Sequence, residues 1–255
     1  MLSFIISLKD NKISQDATKI LKKSLNEHSC MFAENIFEAI TPENAYSTLT
    51  DLRLTWTFPT VKAQNETVII DGVTLKLKAY ETTDQRKRIA CALSHFLLWD
   101  LCSRIDNPVM ILEHDALFIR SFEMIEDYLP EKKTYADLEM IIGLNSPMKA
   151  TRKASIYDKK VSDAYILKQR KNKEGFIEIL PCPYVDDDLE VPQGLAGNSA
   201  YIIFPAAAKR LVNLVRIHGL WPNDAIMCNQ LMSGMLYQTF PYFTRVQGTE
   251  STTSK

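Results

Sequence analysis

The chain has 255 residues, of which 46% are hydrophobic and 24% charged, proportions typical of a globular protein with a large core. Its formal net charge of −1 provides no overall field that would hold nucleic acid or an anionic membrane, so neither is expected as a partner. The five cysteines are an odd number without a C-x-x-C pair, which argues against a disulfide framework and a structural zinc site.

The apolar runs of the chain are short. No run approaches the roughly 20 residues that a membrane-spanning helix needs, so we expect no transmembrane segment. The opening run Leu2–Leu8 is too short for the core of a signal peptide and continues directly into Lys9-Asp10. We therefore expect the protein to be cytoplasmic.

The first half of the chain alternates between strand and helix patterns. Leu2–Leu8 is rich in β-forming residues and predicts a buried first strand, and the apolar spacing that follows predicts a helix. Such an opening favours an α/β fold with a Rossmann-type sheet. Further on we predict loops over much of 41–80, a hairpin over 68–75 that turns at Asp71-Gly72, a helix over 86–104 and a buried strand over 109–112.

The second half is predicted less regularly. The polar, Pro- and Gly-punctuated stretch 146–196 is long for an irregular segment, which favours a lid, part of an acceptor site or disorder. The remaining predicted elements are strands at 138–144, 201–204 and 236–240, a helix over 206–217 ended by Gly219, and a helix that begins near Asn223. We predict one domain over residues 1–255, with a frayed tail at 249–255.

The sharpest local signal is Glu113-His114-Asp115, at the carboxyl end of the predicted strand 109–112. Ligands of open α/β sheets gather at that edge. Side chains two residues apart on extended backbone point the same way, so Glu113 and Asp115 can converge. A divalent cation held by such carboxylates stabilises a departing diphosphate. By itself, the motif also fits a strand that simply ends in polar residues.

The residues around this motif resemble glycosyltransferase family 25. Its hallmark is an A-L-S-H helix followed by a strand that ends in I-L-E-D-D, and this chain has A-L-S-H at 92–95 and I-L-E-H-D at 111–115. The first strand and the segments 197–203, 207–211 and 221–224 also resemble family segments, in the same order. Residues 41–84 and 146–190 resemble no segment of the family.

The resemblance implies a GT-A-like Rossmann-type mixed sheet flanked by helices, a UDP-sugar donor, Mn²⁺ or Mg²⁺, and inversion at the anomeric carbon. It assigns the metal to Asp115, with Glu113 as a second metal or ribose contact that also counts as a catalytic candidate. His114 stands where the family has Asp. A neutral imidazole can ligate Mn²⁺, so His114 is a third candidate ligand, although its presence also fits weakened metal binding or lost activity.

The expected nucleotide contacts come from three segments: Ser7 and Leu8 after the first strand, Ser94 and His95 on the helix, and Asn198. At about 100° per residue, His95 points away from the stripe formed by Leu93 and its neighbours. It can therefore contact the nucleotide or orient the acidic loop. The alternative is a histidine that is hydrogen-bonded for structure alone.

Asp224 is the candidate general base, because inversion needs a carboxylate that takes the proton from the acceptor hydroxyl. The competing explanation is that Asp is favoured in a first helical turn by the backbone dipole. Asn223 offers the cap, however, which leaves Asp224 free for another role. The acidic run 186–188 and His218 are weaker alternatives for a base or ligand.

Aromatic and thiol side chains receive separate predictions. Trp221, beside the candidate base, is the best candidate for a platform on which sugar or uracil stacks. Trp99 is expected to pack on its own helix. Cys91 and Cys102 lie in an apolar helical stretch and are expected to be small core residues.

The predicted function is transfer of a hexose, galactose or glucose, from a UDP-sugar to a hydroxyl acceptor on a glycan or protein. A nucleotidyltransferase also uses acids at a strand end, but Ser7–Asn11 lacks the glycine of a nucleotide loop. A catalytically degenerate sugar-binding module is the second alternative, and His114 is the feature that favours it.

Overall fold

The computed structural model describes residues 1–28, 30, 34–60, 66–122, 135–151, 153–169 and 177–248. Its helices are α1 Lys12–Glu27, α2 Ala45–Asp51, α3 Gln85–Cys102, α4 Ala154–Gln169, α5 Pro205–His218 and α6 Asn223–Ile226. Its strands are β1 Leu2–Ser7, β2 Glu34–Glu38, β3 Glu66–Ile70, β4 Val73–Leu77, β5 Val109–Glu113, β6 Ala116–Phe118, β7 Ile141–Gly143, β8 Glu178–Pro181, β9 Ala200–Ile203, β10 Leu236–Phe240 and β11 Thr244–Val246.

Seven of the strands form one mixed sheet in the order β2-β1-β5-β9-β7-β10-β8. The pairs β1–β2, β1–β5 and β7–β10 are parallel, whereas β9 runs antiparallel to both β5 and β7, and β8 runs antiparallel to β10. The carboxyl ends of β1, β2, β5, β7 and β10 consequently lie at one edge of the sheet. The amino end of β9 lies at that same edge.

Helices cover both faces of the sheet, which is why the first four residues of β5 are all fully buried. Met110 and Leu112 pack in the same cluster as Leu21 and Leu25 of α1, while the alternate residues of the strand pack in the cluster that contains α3 and α5. Burying apolar side chains on both faces stabilises the centre of the sheet and holds the end of β5 in a defined place.

Local capping fixes where the helices begin and end. Asn11 caps α1 by accepting a hydrogen bond from the Ser14 backbone N–H at 2.9 Å. Asp84 caps α3 in the same way through the Arg86 N–H. Gly219 ends α5 with φ of 93°, and a Cβ there would lie 2.4 Å from Thr57 Oγ1. Glycine is needed at this position for both its conformation and its size.

Most of the predicted elements are confirmed. Strand β10 has the predicted bounds, the hairpin β3–β4 turns at Asp71-Gly72, and the mixed sheet flanked by helices confirms the predicted α/β class. None of the described helices is long and apolar enough to cross a membrane. The predicted frayed tail lies outside the described residues.

The prediction of an irregular segment over 146–196 is wrong, because α4 and β8 lie within it. Helix α4 lacks a continuous apolar stripe: Tyr157 and Val161 are buried, while Ile156 and Leu167 are exposed. The pattern that marks an amphipathic helix is therefore weak there. Helix α2, within the predicted loops of 41–80, and the short strands β2, β6 and β11 were also not predicted.

Candidate active site

The Glu113-His114-Asp115 motif lies at the carboxyl edge of the sheet. Glu113 is the last residue of β5, and the next two residues form the turn into β6. The chain passes from β1 to β2 on one side of β1, while β5 pairs with β1 on the other side. Such a reversal leaves a crevice outside the carboxyl ends of the strands, where ligands of open α/β sheets bind.

A cleft with an empty volume of about 510 Å³, part of it open to solvent, occupies this crevice. One wall is apolar and comes from the ends of β1 and β2, formed by Ile6, Leu8, Ala39, Ile40 and Pro42. The opposite wall comes from α3 and the motif itself, formed by Lys87, Ala90, Cys91, Ser94, His95, Glu113 and His114. The cleft therefore combines an apolar slot with ionisable groups, as small-molecule sites commonly do.

Glu113 is held by His95, which reaches it from α3. The distance from His95 Nε2 to Glu113 Oε1 is 2.9 Å, and the histidine side chain is fully buried whereas that of Glu113 is 28% exposed. Burial alone would raise the pKa of Glu113, but the hydrogen bond that His95 donates to it, together with the charge of Arg88, lowers it below its ordinary value. Glu113 is therefore a carboxylate at neutral pH.

Asp115 has the opposite electrostatic surroundings. Its Oδ1 is buried and has no hydrogen-bond partner within the described part of the chain. Burial, and then the negative charge of Glu113, raise the pKa of Asp115 to about 7. The backbone is fixed independently, because the Gln247 N–H donates to the Asp115 carbonyl at 2.8 Å. An unpartnered carboxylate oxygen beside a second carboxylate fits a divalent cation, which would supply the missing counter-charge.

His114 is suited to ligate such a cation as a neutral ring. Burial lowers the pKa of its imidazole, against the opposing effects of Glu113 and of a hydrogen bond to the Ile6 backbone. One ring N–H is thus directed to the Ile6 carbonyl, which leaves the other nitrogen with its lone pair. The three residues of the motif together fit a cation that accepts nitrogen and oxygen ligands.

Asp224 lies on α6, next to Asn223, which contacts the cleft-lining Cys91. The residue is exposed to solvent. Desolvation of its carboxyl by the surrounding protein is nevertheless the largest of the effects that raise its pKa. Arg88 and a hydrogen bond from the Tyr80 hydroxyl oppose this rise, and the charge of Glu113 adds to it. Asp224 is therefore within electrostatic reach of Glu113, the other predicted catalytic carboxylate.

The predicted cap at Asn223 is wrong. The N-cap of α6 is Pro222, without a side-chain hydrogen bond, and Asn223 is the first residue of the helix itself. Asn223 Oδ1 instead accepts from Cys91 Sγ at 3.8 Å. This weak contact joins α6 to α3 beside the cleft. Cys91 is half-buried and lines the cleft, so its predicted place in the core is also wrong, whereas Cys102 is fully buried as expected.

Trp221 is not an exposed stacking platform. Its side chain is 2% exposed, and its Nε1–H donates to Thr57 Oγ1 at 2.9 Å. Its ring packs edge-on against Phe58 at 5.8 Å between centroids. The residue thus anchors the chain segment that leads into α6. Trp99 is fully buried, and its Nε1–H donates to the Tyr201 hydroxyl on β9 rather than within its own helix.

The predicted nucleotide contacts take different positions. Leu8 and Ser94 line the cleft, and Ser94 Oγ also accepts from the Ile40 N–H at 2.9 Å. Ser7 directs its hydroxyl to α1, where Thr18 Oγ1 lies 2.9 Å away. Asn198 is 7% exposed just before β9, and its Nδ2 has no hydrogen-bond partner in the described ranges. It lies at the same sheet edge as the acidic motif.

The weaker candidates are engaged in other interactions. Asp186 pairs with Lys153 and Asp188 with Lys76, and these partners lower the pKa of both carboxyls. His218 Nε2 lies 3.2 Å from Asp71 Oδ1 at the end of α5. The two carboxylates are thus held by ion pairs, and His218 is held by its contact with Asp71.

Cys91, His95 and Glu113 bring their ligand atoms within 4.8 Å of one another, which is metal-ligand spacing. Both ring nitrogens of His95 are already used, however, because Nδ1 lies 2.8 Å from the Tyr201 hydroxyl and Nε2 binds Glu113. Burial also raises the pKa of the Cys91 thiol well above its usual range, so the thiol stays protonated. We therefore interpret the group as hydrogen-bonded rather than metal-binding.

Three residues near the site were not predicted from the sequence. Tyr80 and Arg88 act on Asp224, with the guanidinium 5.3 Å from the centre of the Tyr80 ring, and Tyr201 binds His95. Arg88 lies on α3, one helical turn before Ala92-Leu93-Ser94-His95. This position could have identified it as a candidate site residue. No local pattern marks Tyr80, because its contact depends on how α6 packs.

Two comparisons with known proteins complete this description. A search of curated proteins gave no significant match. In contrast, residues 1–227 match the family model described as glycosyltransferase family 25 (LPS biosynthesis protein). The match spans β1, the A-L-S-H helix, the acidic motif and α6, and so includes both sides of the cleft. The chain therefore belongs to glycosyltransferase family 25, and the protein is a glycosyltransferase.

Proposed function

We propose that the enzyme transfers a hexose from a UDP-sugar to a hydroxyl of a glycan or protein acceptor, with inversion and with the help of Mn²⁺ or Mg²⁺. The observation that carries the proposal is the position of Glu113 and His114 in the cleft wall, followed directly by Asp115, with Asp224 near enough for the charge of Glu113 to act on it. The motif then suits the diphosphate of the donor, and Asp224 suits the acceptor hydroxyl.

The nucleoside of the donor fits the apolar part of the cleft. Leu8, Ala39 and Ile40 form a wall against which a flat base can pack. Ser94 is bound to the Ile40 backbone and so keeps α3 and the end of β2 at a fixed separation. The slot is thus preformed, which reduces the ordering that donor binding requires.

The acidic motif would hold the cation through Asp115 Oδ1 and the free nitrogen of His114, with Glu113 as a contact to a bound water or the ribose. When bound, the cation neutralises charge on the diphosphate leaving group. Asp115 Oδ1 has no hydrogen-bond partner among the described residues, which supports this assignment. Glu113 stays ionised through its bond to His95 and adds negative charge to the site.

Asp224 is the proposed general base. A raised pKa brings a carboxylate closer to the working pH and makes it a better proton acceptor. The hydrogen bond from Tyr80 and the charge of Arg88 restrain the carboxylate in place. Because Asp224 is exposed to solvent, a hydroxyl of the acceptor can reach its side chain. We place the reaction in the cytoplasm, which is supported by five free cysteines.

Incubating the protein with a panel of UDP-sugars and Mn²⁺ tests the proposal. We expect release of UDP, by transfer to added glycans or by slow donor hydrolysis, and its loss in Asp115→Ala. Asp187→Ala is the matched control, because Asp187 is an exposed carboxylate in the 186–188 run. Unchanged activity in Asp115→Ala would refute the catalytic assignment, and pyrophosphate instead of UDP would identify a nucleotidyltransferase.

A second candidate, a sugar-binding module without catalysis, is favoured by His114 in the position of the family's Asp. Calorimetry with Mn²⁺ and with UDP-sugars separates the two. Binding of both ligands supports the enzyme, whereas carbohydrate binding without any metal binding supports the module.

A further inference from the structure

A chain of hydrogen bonds leads from the core of the protein to the acidic motif. Trp99 Nε1 lies 2.8 Å from the Tyr201 hydroxyl, the same hydroxyl lies 2.8 Å from His95 Nδ1, and His95 Nε2 lies 2.9 Å from Glu113 Oε1. Trp99, Tyr201 and His95 are all fully buried. Water is therefore excluded from the first three members, and Glu113 is the member whose side chain is partly exposed.

The two ends of this chain determine the direction of every hydrogen in it. An indole N–H can only donate, so the Tyr201 oxygen accepts from Trp99. Tyr201 then has one hydrogen left, and His95 Nδ1 is the acceptor within reach among the described residues. An ionised carboxylate can only accept, so His95 must donate to Glu113 through Nε2. All the hydrogens consequently point from Trp99 towards Glu113.

The opposite tautomer of His95 does not fit this arrangement. With the hydrogen on Nδ1, Nε2 would present a lone pair to the Glu113 carboxylate, and the Tyr201 hydrogen would lose its acceptor. Leaving a buried polar hydrogen unpaired costs free energy, because no water can replace the partner. The His95 and Tyr201 rings also stack at 5.8 Å between centroids with 17° between their planes, which limits rotation of the imidazole.

We propose that Trp99 and Tyr201 fix His95 in the Nε2–H tautomer, and that His95 is thereby a positioning residue that holds Glu113 Oε1. Glu113 then presents the rest of its 28% exposed side chain to the cleft in one orientation. The hydrogen-bond direction stands without reference to a substrate. Its consequence for catalysis rests on the proposed function.

Long-range ¹H–¹⁵N correlation spectra of the imidazole groups test the direction without any substrate. The chain has four histidines, so a His95→Gln spectrum assigns the signals. We expect a pyrrole-type Nε2 and a pyridine-type Nδ1 for His95 in the wild type. We also expect the Nδ1 resonance to move towards that of an unbonded nitrogen in Tyr201→Phe, but not in Tyr157→Phe. A hydrogen on Nδ1 in the wild type would overturn the proposal.

Kinetics of UDP release test the positioning role. We expect Tyr201→Phe to lower kcat about tenfold, with little change in KM for the donor, because the chain is cut next to His95. Trp99→Phe keeps the Tyr201–His95 bond and should lower kcat by no more than about fivefold. His95→Gln keeps a donor near Glu113 and should retain more activity than His95→Leu.

The Trp99 and Tyr201 variants separate positioning from mere stability. Trp99→Phe removes more buried volume and should be the less stable of the two, although it is expected to be the more active. If kcat instead falls in the order of thermal stability, with Trp99→Phe the worse enzyme, the positioning role is wrong. If no UDP-sugar is turned over but the imidazole spectra are as expected, the proposed function fails and the hydrogen-bond direction stands.

Discussion

Glu113 at the end of β5 is near enough to Asp224 at the start of α6 for its charge to act on the Asp224 carboxyl. The charge of Glu113 contributes to the raised pKa of Asp224. The charge of Arg88 acts to lower the pKa of both carboxyls. The two have different tasks in our account, because His95 keeps Glu113 ionised while desolvation by the surrounding protein makes Asp224 the stronger base.

Asp224→Asn should abolish the general base while preserving the shape of the side chain. We expect kcat to fall about 100- to 1,000-fold with little change in KM for the donor, because proton transfer by a positioned group contributes on that scale. Steady-state release of UDP measures the effect. Asp187→Asn is the control for charge removal, and equal kcat values in the two variants would contradict the assignment of the base.

Binding of Mn²⁺ should depend on pH through Asp115. Its pKa of about 7 means that a proton competes with the metal below that pH. Burial lowers the pKa of His114, so protonation of that imidazole adds to the competition only at a lower pH than it ordinarily would. We expect affinity, measured by calorimetry, to rise about tenfold per pH unit below pH 7 and to level off above it. A flat profile in the wild type would exclude Asp115 as a ligand.

Without metal, Asp115 should destabilise the protein at alkaline pH. Its folded-state pKa of about 7 lies above the unfolded value near ~3.9, so the folded form binds the proton more tightly. The contribution of Asp115 to the free energy of unfolding is thus fully present below the unfolded pKa of ~3.9 and is lost as the pH rises through the folded pKa of about 7. Asp115→Asn should therefore raise the melting temperature of the metal-free protein more above pH 7 than in acid. The reverse order would mean that the carboxylate is not buried.

Gly219 should be irreplaceable for the segment that leads to Asp224. An added Cβ would clash with Thr57, whose hydroxyl binds both Trp221 Nε1 and the His218 carbonyl. We expect Gly219→Ala to lower the free energy of unfolding by about 3 kcal/mol, since a positive φ and a collision are combined. Chemical denaturation measures this.

Gly234 supplies the control for this prediction. Its φ of 73° is also positive, but a Cβ there meets nothing within 4 Å. Gly234→Ala should cost only about 1 kcal/mol, the part due to the backbone conformation. Equal losses in the two variants would show that the contact with Thr57 does not matter.

The sequence predicted the elements whose patterns are local. Strand β10 and the hairpin at Asp71-Gly72 were found because apolar alternation and a turn that needs positive φ are written in adjacent residues. Helix α4 was missed because it buries few side chains along its length. Strand β2 was missed because its five residues, Glu-Asn-Ile-Phe-Glu, are mostly polar and exposed.

The site was predicted in part for a similar reason. Glu113 and Asp115 are two residues apart in sequence, so their proximity at the sheet edge is local, although residues 114–115 form a turn rather than extending β5. The roles of Tyr80, Arg88 and Tyr201 depend on how α3, α6 and β9 pack, which no local spacing encodes. Trp221 was wrongly predicted to be a stacking platform. The sequence shows that it carries an indole, but not that the indole is buried and donates to the Thr57 hydroxyl.

Anomalous scattering from a crystal soaked with Mn²⁺ and a UDP-sugar tests the central claim most directly. The account predicts a single manganese peak within bonding distance of Asp115 Oδ1 and a His114 ring nitrogen, between the motif and the donor diphosphate. Nucleotide bound in the cleft with manganese absent from the motif, or manganese at another surface of the protein, would contradict it.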